Sequence, residues 1–160
     1  MPKTYWKPHV TVATIVERKN SEGHSEYLMV HEMSQDDGKD KEKSVYNQPA
    51  GHLDEGETLL DAAVRETVEE TAWYVEITNY IGLYHYRCGN GMTYLRHGFV
   101  AKPVFHETGR ELDEPIMAAH WMSYQEITEK TAEMRSHMVI KMLDDYRAGT
   151  VYPLSILTSM

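Results

Sequence analysis

The sequence predicts an α+β fold, a mixed β-sheet held between helices. Three observations carry this. His9 to Val16, HVTVATIV, is a β-branched run with the composition of a buried strand. Tyr74 to Arg87 and Met92 to Val104 read as two long strands joined by Gly89-Asn90-Gly91, a turn sequence. Thr58 to Thr71 and the stretch after Ser136 have helical periodicity, so one helix follows the third strand and another closes the chain. Strands, a helix, more strands and a last helix call for a sheet covered on both faces.

Taken in order, Glu26 to His31, EYLMVH, is the expected second strand, with hairpin chemistry around Gly23 before it. Glu32 to Ser44 is almost wholly polar, with a charge run from Asp36 to Lys43, and reads as a mobile surface loop. Val45 to Gln48 is a short strand. It leads into Pro49-Ala50-Gly51, where proline stops the ladder and glycine is expected to let the backbone turn toward the helix. His106 to Glu114 is an acidic loop, Ile116 to Met122 a short strand, and Tyr124 to Lys130 a short helix. Ser136 can cap the final helix, whose apolar stripe is Met138, Val139, Met142, Leu143 and Tyr146; Gly149 ends it.

At 160 residues the chain is one domain with an ordinary core. The net charge of −9 and the lack of a basic patch argue against a nucleic-acid partner. A nucleotide substrate stays compatible, because a bound cation reverses the local field. Cys88 is the only cysteine, so no intrachain disulfide forms. MPKTYWKPHV has no apolar leader core, and no run is long enough to span a membrane. A soluble cytoplasmic protein with no membrane partner is expected.

The chemistry concentrates between Gly51 and Trp73. Asp54 to Glu70 contains seven acidic side chains and one basic one, Arg65. Thr58 can cap the helix there, with Asp61 in a near-capping box. At roughly 100° per residue, Glu66, Glu69 and Glu70 fall within an arc of about 100°. Leu60, Val64, Thr67, Val68 and Thr71 centre on the opposite side, and Ala62 lies beside the acidic face, where its small side chain leaves room for an approach. Like charges at these spacings destabilise a helix by a few tenths of a kcal/mol per pair. A divalent cation removes the conflict: magnesium takes oxygen ligands, carboxylates together with substrate phosphates. Arg65, four residues before Glu69, can orient a ligand or touch a phosphate. The spacing alone fits a solvated acidic face with one salt bridge better.

The wider pattern adds to it. Gly51, five residues, Glu57, seven residues, then Arg65-Glu66-x-x-Glu69-Glu70 resembles the Nudix box. Thr67 stands where that motif has an aliphatic residue, and Ala72 where it has glycine. Either Ala72 therefore takes a left-handed conformation, at a cost of roughly 1–2 kcal/mol, or the chain turns differently there. KPHVTVATIV, NQPAGHLDEGETL, YLRHGFVA and MRSHMV…DYRAGTVYPL, spread over nearly the whole chain, look like the NudJ type of Nudix phosphatase.

The resemblance implies an α/β/α sandwich with a central mixed β-sheet and one Nudix domain over residues 1–160. It implies cleavage of pyrophosphate linkages with Mg2+, for which Mn2+ can substitute. For the NudJ type, the substrates are nucleoside di- and triphosphates or thiamine-pathway pyrophosphates, with orthophosphate released. It implies metal ligands at Glu66, Glu69 and Glu70 with the Ala50 carbonyl, a supporting Glu57 that pairs with Arg65, and a structural Gly51. The water-activating base is a box carboxylate or an acid of the later loop, Glu111, Asp113 or Glu114. Outside the box, Trp6, Tyr84, Tyr86 and Tyr94 can stack on a flat leaving group, and Lys7, Arg87 and Arg96 can meet phosphates, although packing and solvated roles compete at each. The expected partner is a small pyrophosphate, with the protein a monomer or homodimer. Release of pyrophosphate from a triphosphate, cleavage of a nucleotide sugar, and a catalytically silent nucleotide-binding module are the competing readings.

Overall fold

The computed structural model describes residues 1–34 and 43–160. The described residues form seven strands and three α-helices: β1 (His9–Lys19), β2 (Ser25–Met33), β3 (Ser44–Asn47), β4 (Ala50–His52), α1 (Leu59–Thr71), β5 (Trp73–Arg87), β6 (Thr93–His106), β7 (Ile116–Met122), α2 (Tyr124–Glu129) and α3 (His137–Arg147). The charge run from Asp36 to Glu42 lies outside the described residues. The strands reach into both ends of the expected polar loop: Glu32 and Met33 complete β2, and Ser44 opens β3.

β1 organises the sheet. Its residues His9 to Val16 pair in parallel with β6, and Thr11 to Ala13 pair antiparallel with β4 on the other edge. Its end, Glu17 to Lys19, turns back into β2 through the hairpin at Gly23, whose φ of +83° suits glycine. β2 then pairs with β3 and β7, and β6 with β5, all antiparallel. The sheet is therefore mixed, as expected.

Strand periodicity turns β1 into the partition of the core, since successive side chains point to opposite faces. Val12 packs with Ala62 and Ala63 of α1 and with Tyr80 and Phe99. Ala13 and Ile15 face the other way, onto Ile127 of α2 and Val139, Met142 and Leu143 of α3. Helices thus cover both faces, and the sandwich follows from a strand apolar on both sides.

The helix boundaries follow their caps. Thr58 Oγ1 accepts from the Asp61 N–H at 3.1 Å, and Asp61 Oδ2 accepts from the Thr58 N–H at 3.3 Å. Ser123 with Glu126 repeats the box at α2, and Ser136 caps α3. α1 ends at Ala72 in the left-handed region, φ 60° and ψ 13°, its N–H donating to the Val68 carbonyl. Thr67 is buried without penalty because its hydroxyl donates to the Ala63 carbonyl at 2.7 Å. One expectation fails: Ala62 does not lie open beside the acidic face but is fully buried against Val12. Its angular position borders both faces, and the closeness of the sheet decides for the core. Among the described residues no helix is long and apolar enough to cross a membrane.

Candidate active site

β4 and the outer face of α1 bring the box residues together. Gly51 was expected to serve a sharp turn, but it sits in β4 and is not among the glycines with positive φ. Its role is space. A Cβ built at Gly51 would stand 2.1 Å from Glu66 Cδ and 2.2 and 2.3 Å from the two carboxylate oxygens. Only a glycine lets the Glu66 carboxylate rest on the β4 backbone.

Arg65 is the hub. Its Nε and Nη2 donate to the two Glu57 oxygens at 2.8 and 2.7 Å, a two-pronged pair. Nη1 donates to Glu66 Oε1 at 2.8 Å and to Glu69 Oε2 at 3.1 Å. Nη2 also reaches the His52 carbonyl at 2.9 Å and lies 3.5 Å from Asp54. Arg65 thus ties α1 to β4 and to the loop between them. The hydrogen bonds from Arg65 pull the Glu57 carboxyl below its ordinary range, and the same partner raises the Arg65 pKa.

Glu66, Glu69 and Glu70 do not gather at one point. Glu66 and Glu69 share Arg65 Nη1, the positive charge within reach, whereas Glu70 Oε2 turns inward to accept the Ala50 N–H at 3.0 Å. Among the described residues no three acidic, histidine or cysteine side chains form a closed ligand cluster. Glu70 keeps some surface as a residue, but its carboxyl group is closely surrounded by protein. That desolvation pushes its pKa well above the ordinary value; the Ala50 N–H and Arg135 oppose the rise, and Glu32 and Glu66 add to it. Desolvation also raises Glu66, against the pull of Arg65. Neither Glu69 nor Glu70 is favoured by its helix, since both sit in the last turn, where the macrodipole disfavours acids.

This donor set suits a hard divalent cation. It is all oxygen, it is carboxylate-rich, and it contains an enclosed carboxyl whose ionised form lacks enough positive charge. Glu66, Glu69 and Glu70 are the residues that could hold such an ion. Ala50 touches Glu70 through its N–H rather than through a described carbonyl contact.

Two further charges belong to this neighbourhood and were not singled out in the sequence. Glu32, 6 % exposed, pairs with Arg135 at 3.0 Å, and both act electrostatically on Glu70. The signal for Glu32 was its place in the same alternate register as Leu28 and Val30; Arg135, in the link before α3, gave none.

The loop candidates are placed at the end of α1. The Asp113 N–H donates to the Glu69 carbonyl at 3.0 Å, while the side chains of Glu111, Asp113 and Glu114 are exposed. Of the substrate candidates, Tyr86 and Tyr94 stack at 5.3 Å, and Arg96 lies over Tyr86 at 5.9 Å. Tyr94 touches His9 at 5.2 Å, and His9 Nδ1 meets His52 Nε2 at 3.1 Å, so a continuous row of rings runs from β4 to β6. Tyr84 is instead tied to α3, its hydroxyl donating to Asp145 at 2.7 Å. Trp6 is 72 % exposed, and Lys7 and Arg87 are exposed as well; the structure does not bring these three into the row.

A family model for the NUDIX domain matches residues 7–142. The chain belongs to the Nudix family. Phosphatase NudJ of Shigella boydii is 33 % identical over 152 residues, covering 95 % of this chain and 92 % of that protein. Phosphatase NudJ of Escherichia coli K12 is 32 % identical over the same length. A NUDIX hydrolase from Nitrosomonas europaea superposes with a TM-score of 0.85 at 38 % identity, covering 96 % of this chain and 98 % of that one. The NUDIX domain of Shewanella oneidensis NrtR, solved with ADP ribose, shares the fold at a TM-score of 0.69 and 14 % identity, covering 93 % of this chain and 92 % of that one. This chain is a Nudix hydrolase, an enzyme acting on phosphoric anhydrides, and Nudix hydrolases generally use divalent metal ions.

Proposed function

We propose that this enzyme is a magnesium-dependent hydrolase of small organic di- and triphosphates, nucleoside phosphates or thiamine-pathway pyrophosphates, that releases orthophosphate. The observation carrying the reading is the Glu66 carboxylate, laid against Gly51 and flanked by Arg65, Glu69 and the enclosed Glu70. The likeness to proteins named Phosphatase NudJ over 95 % of the chain supports orthophosphate as the product. Glu66, Glu69 and Glu70, with the Ala50 carbonyl, are the proposed metal ligands. When bound, magnesium neutralises phosphoryl oxygens and lowers the pKa of coordinated water. Arg65 holds Glu66 and Glu69 in place, and Glu57 holds Arg65 by both oxygens. A box carboxylate or an acid of the loop 107–115 takes the proton of the attacking water.

The test is a panel of nucleoside di- and triphosphates, thiamine pyrophosphate and nucleotide sugars, read by separate orthophosphate and pyrophosphate assays. Orthophosphate release that needs magnesium and collapses in Glu69→Gln and Glu70→Gln supports the reading. Pyrophosphate as the product from a nucleoside triphosphate overturns it. Tight nucleotide binding without turnover would instead mean a silent binding module.

A further inference from the structure

Arg96 is a buried cation, two of whose guanidinium nitrogens have no hydrogen-bond partner among the described residues. It lies on β6, one rung across from Thr11 of β1 and opposite Tyr84 of β5. Its face is set by its neighbours in register. A Cβ on Gly98 would press on Met142 of α3, and Val100 packs in the cluster that α3 covers. Arg96 therefore stands on the α3 side of the sheet, one step further along β6 from Gly98.

There it is 6 % exposed, and among the described residues its Nε and Nη1 have no hydrogen-bond partner. On the same rung Thr11 is 5 % exposed, and its buried hydroxyl also has no hydrogen-bond partner among the described residues. The Tyr86 ring, at 5.9 Å, is at the outer limit of a cation–π contact. The nearby carboxylate, Glu32, is already engaged by Arg135, and Arg135 is itself a like charge acting on Arg96. Burying a charge without a counter-charge is strongly unfavourable. Two orphaned donors on neighbouring strands, one a planar fork, describe a receptor for a tetrahedral oxyanion.

The position also fits. β4, whose Ala50 N–H holds Glu70, lies on the far side of β1 from β6, so Arg96 is about two strand spacings, roughly 10 Å, from it. His52 shares the Thr11 rung with Arg96 across β1, and His9, Tyr94 and Tyr86 form the next rung along, on the side away from Ala50.

We propose that Arg96, with the Thr11 hydroxyl, binds a phosphoryl group of the substrate distal to the carboxylates of α1. Arg96 thereby sets the requirement for a second charged phosphate and retains orthophosphate as a product inhibitor. This rests on the hydrolase reading above for the substrate, but not for the anion site itself.

The experiment uses the full chain, with Arg96→Met, Arg96→Lys and Thr11→Val. In chelator without divalent metal, inorganic phosphate raises the melting temperature of the wild type and leaves Arg96→Met unmoved. Arg96→Met is as stable as the wild type, or more so, when phosphate is absent. With magnesium and a substrate from the panel, kcat/KM falls roughly 10- to 100-fold in Arg96→Met, mainly through KM, as expected for loss of a charge-assisted contact. Arg96→Lys falls less, Thr11→Val falls several-fold, and inhibition by orthophosphate weakens in each. If Arg96→Met does not fold, the Arg96 Nε–H resonance of the wild type, assigned with Arg96→Lys, decides: it shifts on titration with phosphate. A resonance that stays put overturns the proposal, as does a variant with wild-type phosphate response and KM, or one that is merely destabilised. Wild type inactive on the whole panel, yet with a phosphate shift lost in Arg96→Met, defeats the hydrolase reading and leaves the anion site standing.

Discussion

Gly51→Ala is the most direct probe of how the site is built. The added Cβ would meet Glu66 Cδ at 2.1 Å, where ordinary contact begins at 3.4 Å, so the carboxylate must retreat by about 1.3 Å. The obstacle is the far end of a flexible side chain, so Glu66 moves and β4 does not. Retreat breaks the 2.8 Å bond to Arg65 Nη1, but Arg65 keeps Glu57, Glu69 and the His52 carbonyl. With Glu66 and Arg65 side chains 14 % and 27 % exposed, the screened loss is about 1 kcal/mol. Removing a glycine from a strand returns roughly half of that. The melting temperature should therefore shift by no more than about 4 °C. Catalysis should suffer far more, since a misplacement of about 1 Å can cost on the order of 10²-fold. The assay pairs kcat/KM for orthophosphate release with thermal melts of Gly51→Ala, Glu66→Ala and the double variant. Against Glu66→Ala there is no carboxylate to displace, so alanine at 51 should leave the melting temperature level or slightly raised. Activity within threefold of wild type, or an equal loss of stability in both backgrounds, would refute the argument that Gly51 exists to seat Glu66.

Magnesium or manganese at constant ionic strength should raise the melting temperature. At about 100 Kd the gain is roughly 2.7 kcal/mol, and it should shrink clearly in Glu66→Gln/Glu69→Gln; an equal shift with sodium would mean simple screening of the −9 chain. In chelator, stability should fall as pH rises above about 4.5. Glu70 and Glu66 have folded pKa values raised by desolvation, so the folded state holds protons that the unfolded chain has already released. Denaturant melts across pH should show this slope flattened in Glu70→Gln, and a slope of opposite sign there would contradict the burial of that carboxyl. Glu57, lowered by Arg65, contributes in the other sense, with stability lost only as pH falls through its folded pKa. Ala72→Gly should stabilise by about 0.5–1 kcal/mol, the relief at φ 60° less the buried methyl, and a destabilised variant would show the left-handed strain to be negligible.

Local information determined much of this protein. The Thr58–Asp61 box, the helix from residue 59 to 71, the extent of β7 and the buried stripe of α3 were all legible, because caps, periodicity and turn residues act within a few positions of each other. At Ala72 the sequence left two turns open, and the structure takes the left-handed one. The box acids were legible for the same reason: their spacing on one helix is a property of the helix. Tertiary structure decided what depends on surfaces meeting. β4 has three residues and no strand signature, and it exists because β1 offers an edge. Ala62 went to the core because the sheet approaches that flank of α1. Gly51 proved to be room for a carboxylate fifteen residues away rather than a turn. Glu32, Arg135 and Arg96 come from β2, the link before α3, and β6, and share one electrostatic neighbourhood only after the sheet closes. Desolvation is the physical reason: it depends on what surrounds a group in space, and no spacing along the chain encodes it.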